Sequence, residues 1–393
     1  MYLQLCYLYT LTMAKVIIEG WRFLPHSFAT VNQFQCLELL KRPQLELFHR
    51  DIPYWNKKWK PVTGLLDEAK EAAIREMPEP ATDEKGDITF RTGCPFDFSA
   101  SESDRTVVFA TCEFGRLSNE VLADENSLRR PVQSGVKIIT PSRWSREGLV
   151  RSGLDPKIIS IVPHGIDPDI FCPPTESERK ILRKQFGWDG YFIFLHISAM
   201  TTNKGMPEML ASLYEVSRES KDARLVLKGL DSLYASTVAL NKCLESLPGH
   251  IHPAIQSRVA YTGGDKTYKE IANLYKAADA YVAPYLGEGF NLPVLEAAAC
   301  GLPVICTAGG STDDFTTPEF SLAIDSQRQT SGDPYNPEMI YLRPDQAHLT
   351  SLMDEVMKNN AWRKTARKAG PQYVRSHFTW KHAADKLVDI LLD

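Results

Sequence analysis

Residues 278–306, ADAYVAPYLGEGFNLPVLEAAACGLPVIC, leave a chain few choices of fold. The apolar run 280–283 stops at Pro284, and a second run, 302–306, carries β-branched Val304 and Ile305. Both have the composition of parallel strands buried on two faces. Between them, 292–300 is rich in Leu and Ala, with Asn291 as a candidate N-cap before it and Gly301, suited to a left-handed C-cap, after it. Strand, loop, helix and strand in that order form a βαβ unit, which belongs in a parallel sheet.

The loop Gly287-Glu288-Gly289-Phe290-Asn291 falls at the carboxyl end of a strand and the start of a helix. Open α/β sheets bind ligands there. Free N–H groups at a helix start favour a phosphate, and Gly287 and Gly289 allow close approach to the backbone. Glu288 precedes the helix and Glu296 lies about one and a half turns inside it, so both can face one ligand. Carboxylates accept hydrogen bonds from sugar hydroxyls, so an anion cradle flanked by acids suits a ligand that is part phosphate and part polyol. A nucleotide-sugar has that make-up. Taken alone, Gly-Glu-Gly would be read as a surface turn and Glu296 as a solvated helix residue.

The segment EGFNLPVLE, with Glu288 and Glu296 at its ends, closely resembles the Glu-x7-Glu signature of retaining GT-B glycosyltransferases of family 4, the glycosyl transferases group 1, and AAACGLPVI continues the likeness. The resemblance implies that Glu288 contacts the transferred sugar, that the amides of Phe290, Asn291 and Leu292 hold the diphosphate, and that Glu296 binds the ribose hydroxyls.

The 393 residues suffice for two domains of roughly 100–200 residues each. A net charge of −4 gives no general polyanion-binding character, so nucleic acid is not an expected partner. The eight cysteines (6, 36, 94, 112, 172, 243, 300 and 306) show neither Cys-x-x-Cys pairs nor zinc-site spacing, and are read as reduced thiols of a cytoplasmic protein. The apolar N-terminus MYLQLCYLYTLTM is too short to span a bilayer and lacks the features of a signal peptide. It is read as an extension, 1–13, and no other stretch approaches membrane-spanning length.

Along the chain, 15–19 reads as a strand and 31–40 as a helix. The loop between them offers Trp21, His26 and Ser27 as cleft residues on the acceptor side. A strand at 45–48 is followed by a helix at 62–74, whose Leu65, Leu66, Ala69 and Ala73 share one side. Further strands are expected at 88–91, 106–110, 136–140 and 158–162. Glu113 is the polar side chain nearest the end of 106–110, where many relatives carry a histidine whose role does not transfer to it. Pro163-His164-Gly165-Ile166-Asp167 resembles the family turn that closes the first domain, and His164 is read there as structural.

The second domain opens with a strand at 192–198, and Lys204-Gly205 stands before the next helix. An ammonium at that edge can neutralise a diphosphate. Relatives often carry Gly-Arg-Leu-x3-Lys-Gly here; alignment on Lys204 puts Ala199 in the arginine's place, one fixed cation fewer. Gly263, in the glycine pair after the strand 258–262, falls where relatives border the nucleobase, and the polar stretch 325–340 is read as a long loop.

The resemblance therefore implies a GT-B fold, two doubly wound Rossmann-like domains facing across a cleft. The expected division is an acceptor domain at 14–170, a donor domain at 171–375, and a helix at 376–393 crossing back onto the first domain. The expected activity is transfer of a hexose, with retention, from a UDP-, GDP- or ADP-sugar to a carbohydrate, lipid or small-molecule acceptor. Neither metal nor cofactor is expected. The expected catalytic residues are Glu288 and Lys204, and the expected donor-binding residues are Lys204, Gly263, Gly289, Phe290, Asn291, Leu292 and Glu296. A non-catalytic sugar-nucleotide or glycan-binding scaffold and a nucleotide-sugar epimerase of the same fold are the alternatives.

Overall fold

The computed structural model describes residues 13–124, 126–129, 132–331 and 338–393. The expected extension therefore lies outside the described residues except for Met13.

Six strands, β1 (Ala14–Gly20), β2 (Leu45–Asp51), β3 (Ile88–Thr92), β4 (Arg105–Phe109), β5 (Val136–Thr140) and β6 (Ile159–Ile161), form a parallel sheet in the order β2-β1-β3-β4-β5-β6. Helices α1 (Ser27–Leu39), α2 (Glu68–Arg75) and α3 (Arg143–Arg151) connect them. Valines, isoleucines and phenylalanines fill the strands because parallel strands covered by helices bury both faces.

The connection to the second domain contains α4 (Glu176–Phe186), which ends at left-handed Gly187. Arg179 and Arg183 of this helix pair with Asp279 at 2.6 and 2.8 Å, tying it to the start of an interior strand of the next sheet. That sheet contains β7 (Phe192–Ile197), β8 (Ala223–Lys228), β9 (Val259–Thr262), β10 (Ala280–Ala283), β11 (Val304–Thr307) and β12 (Ser321–Ile324), in the order β12-β11-β10-β7-β8-β9. Its helices are α5 (Met206–Glu219), α6 (Ser236–Ser246), α7 (Ile251–Ile255), α8 (Tyr268–Ala277) and α9 (Leu292–Ala299). The strand order reverses between β7 and β10, the switch point where such sheets bind ligands.

Three sequence expectations change. The helix expected at 31–40 begins at Ser27 with His26 as its N-cap, and most of its residues are buried, polar ones included. A helix enclosed on most sides has no apolar stripe to reveal its start. The helix expected at 62–74 begins only at Glu68, capped by Asp67, whose carboxylate accepts from the Lys70 amide at 3.0 Å. The preceding residues form a strap instead: Val62 donates to the Phe23 carbonyl at 2.7 Å, Gly64 takes a φ of 78°, and the Leu65 carbonyl accepts from the Tyr268 amide of the second domain at 3.1 Å. The stretch 325–340, expected as a loop, supplies β13 (Ser326–Thr330) and the start of β14 (Ile340–Pro344), an antiparallel pair. Residues 332–337 lie outside the described residues.

Helices α10 (Gln346–Lys358) and α11 (Asn360–His377) complete the second domain, and α12 (Trp380–Leu392) returns to the first. Trp380 stacks on Phe34 of α1 with ring centroids 5.5 Å apart and planes 1° from parallel. Ile166 and the crossover exchange backbone bonds, Ile166 N–H to Phe378 O at 2.9 Å and Trp380 N–H to Ile166 O at 3.1 Å. Gly165 is needed there because a Cβ would meet the Thr379 carbonyl carbon at 2.2 Å and the Trp380 nitrogen at 2.3 Å. Among the described residues, no helix is long and apolar enough to cross a membrane.

Because Trp380 is buried and pins the two domains together, Trp380→Ala is expected to cost about 3–5 kcal/mol. Thermal unfolding should show a clearly lowered Tm, and an unchanged Tm would contradict this account of the crossover.

Candidate functional site

Lys204 and Glu288 meet at the switch point. The lysine follows β7 on a short 3-10 turn and is succeeded by left-handed Gly205 (φ 66°), which presses so close to the Pro284 carbonyl that a Cβ would lie 1.8 Å from its oxygen. The Glu288 loop follows β10. The Lys204 ammonium donates to Glu288 Oε1 at 2.7 Å, with both side chains largely buried. Asn203, one residue earlier, joins the two loops: its Nδ2 donates to Gly287 O at 2.9 Å and its carbonyl accepts from the Leu286 amide at 2.8 Å.

Glu113, which the sequence left without a role, is brought into this centre from the first domain. Its Oε2 accepts from Asn203 Nδ2 at 3.2 Å. The side chain reaches solvent through the cleft yet stands between two domain walls. That enclosure pushes its carboxyl above the ordinary range; Lys204 opposes the shift and Glu288 adds to it. For Lys204, burial works against the charge, but Glu288 and Glu113 outweigh it and hold the ammonium protonated, its pKa raised. The result is one cation between two carboxylates on opposite walls of a cleft.

Asn291 precedes α9 as expected, but its side chain makes no cap; it adopts a left-handed conformation (φ 75°, ψ 68°) instead. The turn leaves the amides of Phe290, Asn291 and Leu292 with no acceptor among the described residues. Buried N–H groups of this kind at a helix start suit an anion. The Phe290 ring is buried edge-on against His164, with centroids 4.9 Å apart, and only its backbone is offered to a ligand. Glu296 projects from α9, and its Oε2 accepts from the Tyr275 hydroxyl at 2.9 Å. Burial raises its carboxyl to about 7, with the Tyr275 bond opposing the rise.

The glycines are also sites of close packing. A Cβ on Gly289 would lie 1.9 Å from Thr111 Oγ1, and its carbonyl accepts from Ser142 Oγ at 2.6 Å, so the residue is small to admit the first domain. Gly287 likewise lies against Glu113 and Phe114. At Gly263 a Cβ would meet Asp231 Oδ2 at 1.7 Å, and the Gly263 carbonyl accepts from the Asp231 amide at 2.9 Å. It packs closely between the loops that follow β8 and β9.

On the acceptor side, Trp21 is fully buried and donates through Nε1 to Pro53 O at 3.1 Å, so its face is not open to a sugar ring. His26 caps α1 by accepting at Nδ1 from the Phe28 amide at 3.1 Å, and burial lowers its pKa to about 4. It is a neutral structural group, although its ring stacks at 6.1 Å on Tyr234 of the second domain. Ser27 is the first residue of α1 and is exposed. Trp59 of the strap, which the sequence did not single out, donates through Nε1 to Leu233 O at 3.0 Å across the cleft. His164 is buried against Phe109, Phe290 and Trp380, as its structural reading requires, and burial lowers its pKa to about 3.

Comparison with known proteins agrees with this geometry. Residues 191–324 match the family described as Glycosyl transferases group 1. Mannosylfructose-phosphate synthase of Agrobacterium fabrum is 25% identical over 241 residues, 61% of this chain and 48% of that protein. A D-inositol 3-phosphate glycosyltransferase of Xylanimonas cellulosilytica is 32% identical over 184 residues, 44% of this chain and 40% of that protein. The matched regions thus span about half the length of these relatives or less. The crystal structure of Anabaena HepE in complex with UDP and glucose superposes with a TM-score of 0.65 at 13% identity, over 96% of this chain and 99% of that one, a likeness of fold. With two parallel six-stranded sheets facing across a cleft, the chain has the GT-B fold, and the second of its sheets lies in the stretch, 191–324, that is similar to the glycosyl transferases group 1.

Proposed function

We propose that the protein transfers a hexose from a nucleotide-sugar to an acceptor hydroxyl, with retention at the anomeric carbon and without a metal ion. The observation that carries this reading is the Lys204–Glu288 pair beside the unpaired amides of Phe290, Asn291 and Leu292, with Glu113 facing it from the other domain. The names of the relatives, a synthase and a glycosyltransferase, support the class of reaction, and the UDP and glucose in the HepE crystal support the class of donor.

In this reading the donor diphosphate lies against Lys204 and the start of α9, and its ribose hydroxyls donate to Glu296. The bond between the anomeric carbon and the β-phosphate oxygen breaks. A new bond to the acceptor oxygen forms on the same face, and the departing phosphate takes the acceptor proton. Lys204 and the helix amides stabilise the negative charge that develops on the phosphate, the work a metal does elsewhere. Glu288 positions the sugar hydroxyls and stabilises positive charge at the anomeric carbon. Contacts across the cleft, such as Ser142 to Gly289 and Trp59 to Leu233, exclude water and so limit donor hydrolysis. The seven described cysteines are free, which supports action in the cytoplasm.

Nucleotide release assayed in EDTA with pools of acceptors should show turnover by the wild type. Glu288→Ala should lower it on the order of a hundredfold or more with little loss of nucleotide affinity, whereas Glu296→Ala should chiefly weaken nucleotide binding. Equal turnover by wild type and Glu288→Ala would sink the assignment. Activity only after a divalent ion is restored would overturn metal independence. Nucleotide binding with no turnover would favour the scaffold, and donor consumption without acceptor the epimerase.

A pH dependence also follows. The Glu296 carboxyl, raised to about 7, gains its charge as pH rises through that value, and the anion is the better acceptor for ribose hydroxyls. Affinity for a nucleoside diphosphate should therefore strengthen from about pH 6 to pH 8 in the wild type by more than in Glu296→Gln. Identical profiles for the two proteins would contradict the role given to Glu296.

A further inference from the structure

Lys228 is a cation that the chemistry above does not use. It ends β8, is 4% exposed, and its ammonium donates to the carbonyl of neighbouring Gly229. No carboxylate among the described residues pairs with it; Asp265 and Asp231 act on it only from farther away. Burial accordingly pulls its pKa below the usual lysine value, with Lys266 adding to the effect and the two aspartates opposing it. An ammonium carries three donors, and burying it with a single carbonyl partner is costly unless something else repays it.

Its position suggests what does. Lys228 lies opposite Ile197 of β7, the strand that leads to Lys204. Neighbouring strands are about 4.8 Å apart, so a nucleotide whose diphosphate rests over β7 and β10 can bring its base over β8 and β9. The other flank, beyond β11, is taken up by the turn carrying Asp314, which is tied to Arg143 of the first domain at 2.7 Å. Over β9 the surface is open: a Cβ on Gly264 would meet nothing within 4 Å. Asp265 beside it receives Ser232 Oγ on one oxygen at 2.5 Å. The flexible stem of Lys228 allows its ammonium to turn from Gly229 towards a ligand there.

We propose that Lys228 reads the donor's nucleobase by donating to a ring carbonyl, so that the site takes uracil or guanine nucleotides in preference to adenine. The inference rests on the nucleotide-sugar reading above. Uracil offers O4 and guanine O6 as acceptors. Adenine presents an amino group in that place, and an ammonium has no lone pair to receive it.

The test compares binding of UDP, GDP, ADP and inorganic pyrophosphate to wild type, Lys228→Met and Lys228→Arg. Wild type should bind UDP or GDP about tenfold or more tighter than ADP. Lys228→Met should lose most of that preference with its pyrophosphate affinity unchanged, and Lys228→Arg should keep it. A preference that survives in Lys228→Met, or a matching loss of ADP and pyrophosphate affinity, would overturn base reading while leaving the donor site standing. Failure of the wild type to bind any nucleotide would overturn both.

Discussion

The ion pair between Lys204 and Glu288 is the contact on which the arrangement of the molecule turns. A largely buried pair of this kind contributes little to stability once its desolvation is counted. Its geometry is nonetheless strongly specified: a left-handed glycine places the lysine, an asparagine bonds to both loops, and the pair lies where the strand order reverses. The balance of charge depends on the other domain as well, because Glu113 adds a second carboxylate to the single cation. A site built in this way is complete only when the two domains are together.

Closure is therefore written into the backbone as well as the side chains. Gly287 and Gly289 leave room for Phe114 and Thr111 of the first domain, and Gly165 leaves room for the crossover to α12. The strap around Trp59 and Leu65 and the bond from Ile340 to Phe114 at 2.8 Å add polar ties at the cleft's rim. Each tie is small, and together they hold the carboxylate of one domain against the lysine of the other.

Much of the donor half was legible in the sequence because its physics is local. Strands buried on both faces read as continuous apolar runs, and 278–306 displays both strands, the helix and the loop within one stretch. The other half was not, for three physical reasons. Glu113 meets Asn203 across 90 residues of chain, which no local pattern reports. Helix α1 buries Thr30, Asn32, Gln33 and Gln35, so its polar residues do not mark a solvent face. Leu65 and Leu66 have the spacing of a helix but serve a strap that bonds to the second domain. Trp21 looked like a cleft aromatic and is core, because a loop sequence does not disclose how deeply it is covered.

In the proposed function Lys204 is the cation for a nucleoside diphosphate. Calorimetric titration of the best-binding nucleoside diphosphate into wild type and Lys204→Met tests it most directly, since loss of a charge-assisted contact to phosphate is expected to weaken binding on the order of tenfold to a hundredfold. Lys204→Met is expected to show that loss while remaining folded by circular dichroism. An affinity unchanged by Lys204→Met would contradict it.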